Sequence, residues 1–495
     1  MNSNTNLARN YNPAWVFAMA LGAAIGWGAF ILPFDWMMSG GLAGTLIGFI
    51  IGGLLIGVIA LSYGGAIRFL PVTGGGVAFA LSALGRHHAF VAGWALALAY
   101  ACIVALNASA VTLVFRVILP NWVMRFPLYE VAGWKIYLPE VLIASAFIIL
   151  FAWMNSQGAE ISGRFQFIAV LLLIGSVAVI TVSMIVYYLV EQPTLAPGFP
   201  EDRSKLAAVS TIIAFAPWAY VGFDSIPQLA GEFNFSAKKA MNLILWGVGA
   251  ATLVYMAMML STSIAVGTDH SQLSEAAWPP AVAIQEVMGL PGLVLMVVAV
   301  SVGVLTGLNG FFTATSRVLL TLGRSGLLPK WFAVLDQERK TPSKAIYFVA
   351  LVCLITPWFG RAALAWIVDM SSLGVTVAYF YTCYFVFHVA RTGKIVDAEI
   401  DVPHSLLQRG VSLVGCLLSV CFVALLLVPG SPGALGKESL IALGIWTLIG
   451  LLCYLVRYPK ISRLDDAELA QRMFGGASVV KSDRLKMSSN SNSSL

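Results

Sequence analysis

The stretch GWGAFILPFDW, Gly26 to Trp36, lies inside the first long apolar segment of the chain, and its reading decides the fold. Glycine in a helix interior costs about 1 kcal/mol and proline about 3. Backbone groups left unpaired in hydrocarbon cost several more each, so irregular backbone survives in a membrane only where protein or a water-filled cavity satisfies it. Two glycines, Pro33 and Asp35 in an otherwise apolar segment therefore predict a broken helix with a site at the break.

Composition fixes the solvent around that break. Of the 495 residues, 59% are hydrophobic and 11% charged, and the mean hydropathy is +0.86, too apolar for water-soluble domains. The chain reads as an all-α polytopic membrane protein. A hydrocarbon layer about 30 Å thick takes about 20 helical residues to cross. About twelve such segments recur, near 14–38, 42–67, 88–118, 139–157, 163–190, 206–231, 240–266, 292–322, 343–359, 362–390, 410–429 and 438–457. The expected organisation is a tail over 1–13, a ten-span core over 14–391, two further spans over 392–457 and a second tail over 458–495. Arg9 and the short run ending in ALGAA have the outline of a signal peptide, but the apolar run continues through Phe34 and more spans follow, so a retained helix is expected. All six cysteines fall within spans and read as small buried hydrophobes.

Charge placement sets the orientation. With the N-terminus in the cytoplasm, 22 of the 29 lysines and arginines lie on the cytoplasmic side, which predicts both tails inside. The net charge of +6 is thus a topogenic signal and gives no reason to expect nucleic acid. The expected location is a plasma membrane, in bacteria the inner one.

The sixth span carries a second interruption, FAPWAYVGFDSIP, with Pro217, Gly222, Asp224 and Pro227. In both segments a glycine precedes a proline by five positions, Gly28 to Pro33 and Gly222 to Pro227. Two matching broken spans, five segments apart, point to an inverted five-plus-five helix repeat with a binding site near the bilayer midplane.

The stretches AIGWGAFILP, PWAYVGFDSIPQLAGEF, FLPVTGGG and, most specifically, SRVLLTLGRSGLLPKWFAVLDQERKTPSKAI resemble the signatures of the amino acid, polyamine and organocation superfamily of secondary transporters over about residues 14–457. The resemblance implies a ten-helix inverted-repeat core with helices 1 and 6 broken, two additional helices and alternating access. It places the substrate against Ala24, Ile25, Gly26, Trp27 and Gly28 of the first break and Trp218, Val221 and Gly222 of the second. Where relatives have a Gly-Ser-Gly-like break that holds a carboxylate, this chain has Gly26-Trp27-Gly28, which removes a hydroxyl and adds bulk. Trp218 matches an aromatic that gates the site in relatives, and Phe311 matches a second substrate-facing aromatic.

The broken ends supply chemistry themselves. Free amides at a half-helix N-terminus favour a carboxylate, and free carbonyls at a half-helix C-terminus favour an ammonium or metal cation. Carboxylates inside spans normally face a cavity or a partner. Asp224 is the leading candidate for proton coupling or gating; Asp35 is a second, near the outer water. Asp369, in AWIVDMSSLG, is expected at the substrate, where it would suit a positively charged amine. The lysine that many proton-coupled relatives carry in the fifth span is missing, since no basic residue follows Arg164 there. The coupling ion is then H⁺ through Asp224, or Na⁺ on first-span carbonyls and the hydroxyls of Thr313, Thr315 or Ser316, or the protein exchanges substrates.

Other features carry structural expectations. Gly44, Gly48 and Gly52 share one face of the second span, the spacing for close helix contact. Gly74-Gly75-Gly76 reads as a hinge, since no strand precedes it as a nucleotide loop would need. His87, His88, His270, His388 and His404 show no metal-ligand spacing, so neither metal nor cofactor is expected. The tail KMSSNSNSSL reads as disordered. The expected function is a permease for an amino acid or small organic amine, proton-coupled or exchanging, with a Na⁺ symporter of a polyamine, ethanolamine or choline as the alternative. A channel or membrane enzyme fits less well: a channel would usually show pore-lining rings, and no nucleophile, base and orienting group stand together. The partners expected are the substrate, the bilayer and a second copy in a homodimer.

Overall fold

The computed structural model describes residues 9–267, 278–360, 362–396, 405–431 and 433–474, together with Leu7, Leu273, Ala276 and the pair Ala398–Glu399. His270, His404 and the KMSSNSNSSL tail lie outside the described residues. In chain order the helices are α1 Pro13–Ile25, α2 Gly28–Ile31, α3 Pro33–Phe69, α4 Gly75–Leu84, α5 Arg86–Ile118, α6 Pro120–Val123, α7 Leu138–Ser156, α8 Ala159–Glu191, α9 Lys205–Ala214, α10 Ala216–Ala219, α11 Ala237–Val266, α12 Pro279–Met288, α13 Leu290–Arg324, α14 Ser343–Cys353, α15 Ala362–Thr392, α16 Leu406–Leu427, α17 Lys437–Ile461 and α18 Asp466–Phe474.

Among the described residues, nine of these are long and apolar enough to cross a membrane. The other three spans are interrupted. Span 1 is α1, α2 and the start of α3, which turns at Gly41 (φ 68°) into span 2. Span 6 runs from α9 through α10 into the 3-10 turns Phe223–Gln228 and Ala230–Glu232. Span 9 is α14 continued by the 3-10 turn Thr356–Phe359. Two small hairpins, β1 Pro127–Val131 with β2 Trp134–Tyr137 and β3 Lys394–Ile395 with β4 Ala398–Glu399, sit in loops between spans.

Among the described residues the two most extensive helix pairings are α3 with α11 and α5 with α13. These are spans 2 with 7 and 3 with 8, the counterparts that an inverted repeat brings to its pseudo-two-fold axis. The glycine face of span 2 behaves as its spacing predicts. A methyl on Gly48 would stand 2.5 Å from Ile212 Cβ and one on Gly52 2.9 Å from Ala216 Cβ, so glycine lets the broken sixth span lie directly on α3. The cysteines depart from expectation: Cys421 is exposed on α16, as a weakly polar thiol facing lipid can be, and Cys453 is half-buried.

The leading half-helix of each broken span has its own start signal. Asn12 caps α1 by accepting from Trp15 N at 2.9 Å, with Pro13 in the first turn, and Ser204 caps α9 by accepting from Ala207 N at 3.2 Å. The short helix α18 buries Leu469, Ala470 and Met473, and its Asp466 pairs with Arg86 at the start of α5 (3.0 Å).

Candidate functional site

The first break is at Gly26, whose backbone (φ 52°, ψ −152°) is open to glycine and strained for other residues. Pro33 is not part of it; it occupies the first turn of α3, where its missing N–H costs nothing. The second break is at Gly222 (φ 134°, ψ −40°), while Pro227 lies within the 3-10 turn that follows. The five-residue glycine-to-proline spacing shared by the two spans therefore does not mark equivalent bends. Position along the chain is nonetheless right, because the breaks touch. A methyl at Gly222 would stand 2.6 Å from Ala24 N and 2.7 Å from Ala23 C.

Aromatic rings cover this junction. Trp218 lies over Gly28, where a methyl would stand 2.7 Å from its ring, and it meets Trp27 edge to face at 5.9 Å. Trp27 and Trp218 are 7% and 8% exposed, and Val221, three residues after Trp218, is buried as well. Phe311 is fully buried and packs on Tyr100, ring centres 5.4 Å apart.

Carbonyl oxygens line the other side. The Tyr255 hydroxyl, from α11, lies 2.8 Å from Ala219 O, 3.0 Å from Ala24 O and 3.2 Å from Ile25 O. One hydroxyl proton serves one of three acceptors at a time, so the cluster keeps a surplus of negative partial charge. Past the break, the first backbone bond is from Phe30 N to Trp27 O at 3.0 Å; the amides ahead of it have no intrahelical acceptor, as at any helix start. A carbonyl cluster and a set of amides thus flank one junction.

Asp224 is fully buried two residues beyond Gly222. Its carboxylate accepts from Gly222 N (2.7 Å) and from the Tyr100 hydroxyl (2.7 Å), so it reads the conformation of the second break directly.

Asp369 departs from its expected place at the substrate, and the other candidates stand as follows. The carboxylate of Asp369 accepts from Ser439 Oγ (2.6 Å) and Gly436 N (3.2 Å), where it caps α17 instead of facing the breaks. Asp35 is exposed in the first turn of α3, outside the junction. The hydroxyls of Thr313, Thr315 and Ser316 donate to carbonyls of their own helix, Asn309 O, Phe311 O and Thr313 O, and Thr313 also reaches Asn155 Oδ1 (2.6 Å). The eighth-span hydroxyl that meets the first span is Thr306, 3.1 Å from Gly22 O and 2.9 Å from Gly303 O.

Sequence reasoning missed Tyr255, Thr306 and two polar assemblies. In the fifth span Gln166 donates to Ala18 O (3.3 Å) and accepts from Asn309 Nδ2 (2.8 Å), which ties the half-helix α1 to α8 and α13. Near the start of α1, Arg317 and Glu232 form a two-pronged ion pair (3.0 and 2.9 Å), both 2% exposed. Tyr11 bridges to Phe233 beside it, its N donating to Glu232 O and its O accepting from Asn234 N, each at 3.1 Å. The Gly74 turn joins the same assembly: Gly74 N donates to Gln228 O (2.9 Å) and Gly76 N to Gln228 Oε1 (3.2 Å). On the opposite end Trp278 Nε1 donates to Phe30 O (3.0 Å). The junction lies between these two closures.

A membrane-embedded bundle with two interrupted helices meeting at a polar, aromatic-covered junction defines a carrier of small molecules. The family model described as amino acid permease matches residues 14–452, and the chain belongs to that family. It is 23% identical to the methylthioribose transporter of Bacillus subtilis over 93% of this chain and 95% of that one. It is 24% identical to the branched-chain amino acid permease of Lactococcus lactis (88% and 92%) and 23% identical to the lysine-specific permease of Escherichia coli (83% and 80%). It is a membrane transporter for amino acids or related small organic molecules.

Proposed function

We propose that the protein is a secondary active transporter of a zwitterionic amino acid with an uncharged, apolar side chain, working by alternating access around the Gly26 and Gly222 breaks. The observation that carries this reading is the cluster of Ala24, Ile25 and Ala219 carbonyls around one Tyr255 hydroxyl. An ammonium brings three donors to such a cluster. The amides at the start of α2 suit the carboxylate, and Trp27, Trp218 and Phe311 offer the side chain apolar surface. A cationic side chain would need its own carboxylate, and Asp369 and Asp224 are engaged elsewhere. Proton coupling through Asp224 is the preferred energy source, and both termini are taken as cytoplasmic.

Sodium coupling is the second reading. It would use the oxygens of Gly22, Gly303 and Thr306, which already converge, in place of Thr313, Thr315 and Ser316.

Counterflow in proteoliposomes tests the proposal. Loaded leucine, isoleucine or methionine should accelerate entry of the labelled amino acid, while lysine, putrescine and choline should not. Acceleration by the cationic solutes alone would overturn it. Repeating the assay with potassium in place of sodium separates the two coupling modes.

A further inference from the structure

A groove of about 420 Å³ lies on the flank of the bundle, between α5, α15 and α17. Its walls are Phe90 and Trp94, Leu373 and Val377, and Leu443 and Trp446; its polar lining residues are His87, Thr447 and Tyr454. Span 12 is the most peripheral of the long spans, so this flank faces hydrocarbon.

The groove is held open. Trp94 and Trp446 stack with ring centres 4.4 Å apart, and each indole N–H donates to the other residue's carbonyl, at 3.0 and 3.3 Å. Gly450 is what permits this, because a methyl there would stand 2.3 Å from Trp94 Nε1. These contacts clamp α17 to α5 at one level and fix the space beside it.

Length and charge say what fits. The lining runs from His87 to Leu98 on α5 and from Leu443 to Tyr454 on α17. At 1.5 Å per residue that is about 16 Å, the depth of one leaflet of a hydrocarbon core about 30 Å thick. The His87 and Tyr454 end, joined by a 2.7 Å hydrogen bond, is the cytoplasmic one by the lysine and arginine distribution. The chain beyond Tyr454 carries Arg457, Lys460 and Arg463 against Asp465 and Asp466; Arg457 donates to Gly326 O (3.0 Å) and Asp466 is paired to Arg86, which leaves Lys460 and Arg463 exposed. The excess is cationic.

We infer that this groove is a binding site for a cytoplasmic-leaflet phospholipid with an anionic headgroup, one acyl chain lying along Trp94 and Trp446 and the headgroup held by Lys460 at the end of α17 and Arg463 just beyond it.

Native mass spectrometry of the full-length protein in detergent, with phosphatidylglycerol or phosphatidylcholine of the same chains added, tests it. Phosphatidylglycerol should be retained and phosphatidylcholine lost at the same activation energy. Thr447→Trp fills the groove from an exposed position on the peripheral span and should cut retention roughly tenfold or more, the worth of about two buried methylenes. Lys460→Glu with Arg463→Glu should abolish the headgroup preference while leaving the protein monodisperse. Equal retention of both lipids by the unaltered protein, or full retention in Thr447→Trp, overturns the inference. So does a change of oligomeric state in Thr447→Trp, which would make a second copy the occupant.

Discussion

The hydroxyl of Tyr255 stands 2.8 Å from the Ala219 carbonyl and 3.0 Å from the Ala24 carbonyl, so one side chain of α11 holds both interrupted spans. Removing it leaves buried acceptors short of a donor, at about 1–3 kcal/mol. Tyr255→Phe should lower the thermal stability of the purified protein by that amount and raise the KM for uptake about tenfold. An unchanged KM would remove Tyr255 from the substrate site.

Gly222 touches the backbone of Ala24 with a φ of 134°. Gly222→Ala adds about 1–3 kcal/mol of backbone strain and a steric conflict with the other break. Transport should be lost with the protein still present in the membrane. Gly57, where a methyl meets nothing within 4 Å, is the control, and Gly57→Ala should transport normally. Equal activity of the two variants would separate the breaks from the mechanism.

Asp224 accepts from Gly222 N, so its protonation and the shape of the second break are linked. Asp224→Asn should flatten the dependence of uptake on external pH, because an amide cannot take up and release the proton that a carboxyl carries. Binding, followed by ligand-induced thermal shift, should persist. A pH profile that keeps its slope would place coupling elsewhere.

Arg317 and Glu232 form a buried pair. Breaking one partner strands the other charge, at about 3–5 kcal/mol, whereas replacing both with apolar residues is far milder. Glu232→Gln or Arg317→Met alone should lower the melting temperature markedly, and the double variant Glu232→Met with Arg317→Met should recover most of it. Additive losses would mean that the two charges act independently.

Asp369 caps α17 through Ser439 and Gly436. Asp369→Ala should cost about 0.5–2 kcal/mol of stability and leave the ratio of neutral to cationic ligand affinity unchanged. A selective loss of cationic ligands would return Asp369 to the substrate.

The spans and the two breaks were legible because they depend on what lipid forbids, and glycine, proline and carboxylate inside an apolar run announce themselves. The contact between Gly222 and Ala24 follows from the repeat that those interruptions imply. Asp369 shows the limit. A carboxylate in a span must have a partner, but the rotation of its helix decides whether that partner is a ligand or the next helix, and α17 lies about 70 residues away in sequence. Tyr255, Thr306 and Gln166 carried no signal of their own, since one polar side chain in an apolar helix looks the same whether it bonds its own turn or a broken neighbour.

The bridge between Tyr11 and Phe233 bears on how the protein can be handled. A reporter fused ahead of Arg9 would be tethered next to the residue that stitches the first span to the sixth, and its drag would fall on that stitch. A label joined beyond Phe474 would instead hang from α18, whose anchor is Asp466 on Arg86. Tagging at one end or the other is therefore a mechanical perturbation in its own right, and activities from the two fusions should be compared before either is taken as native.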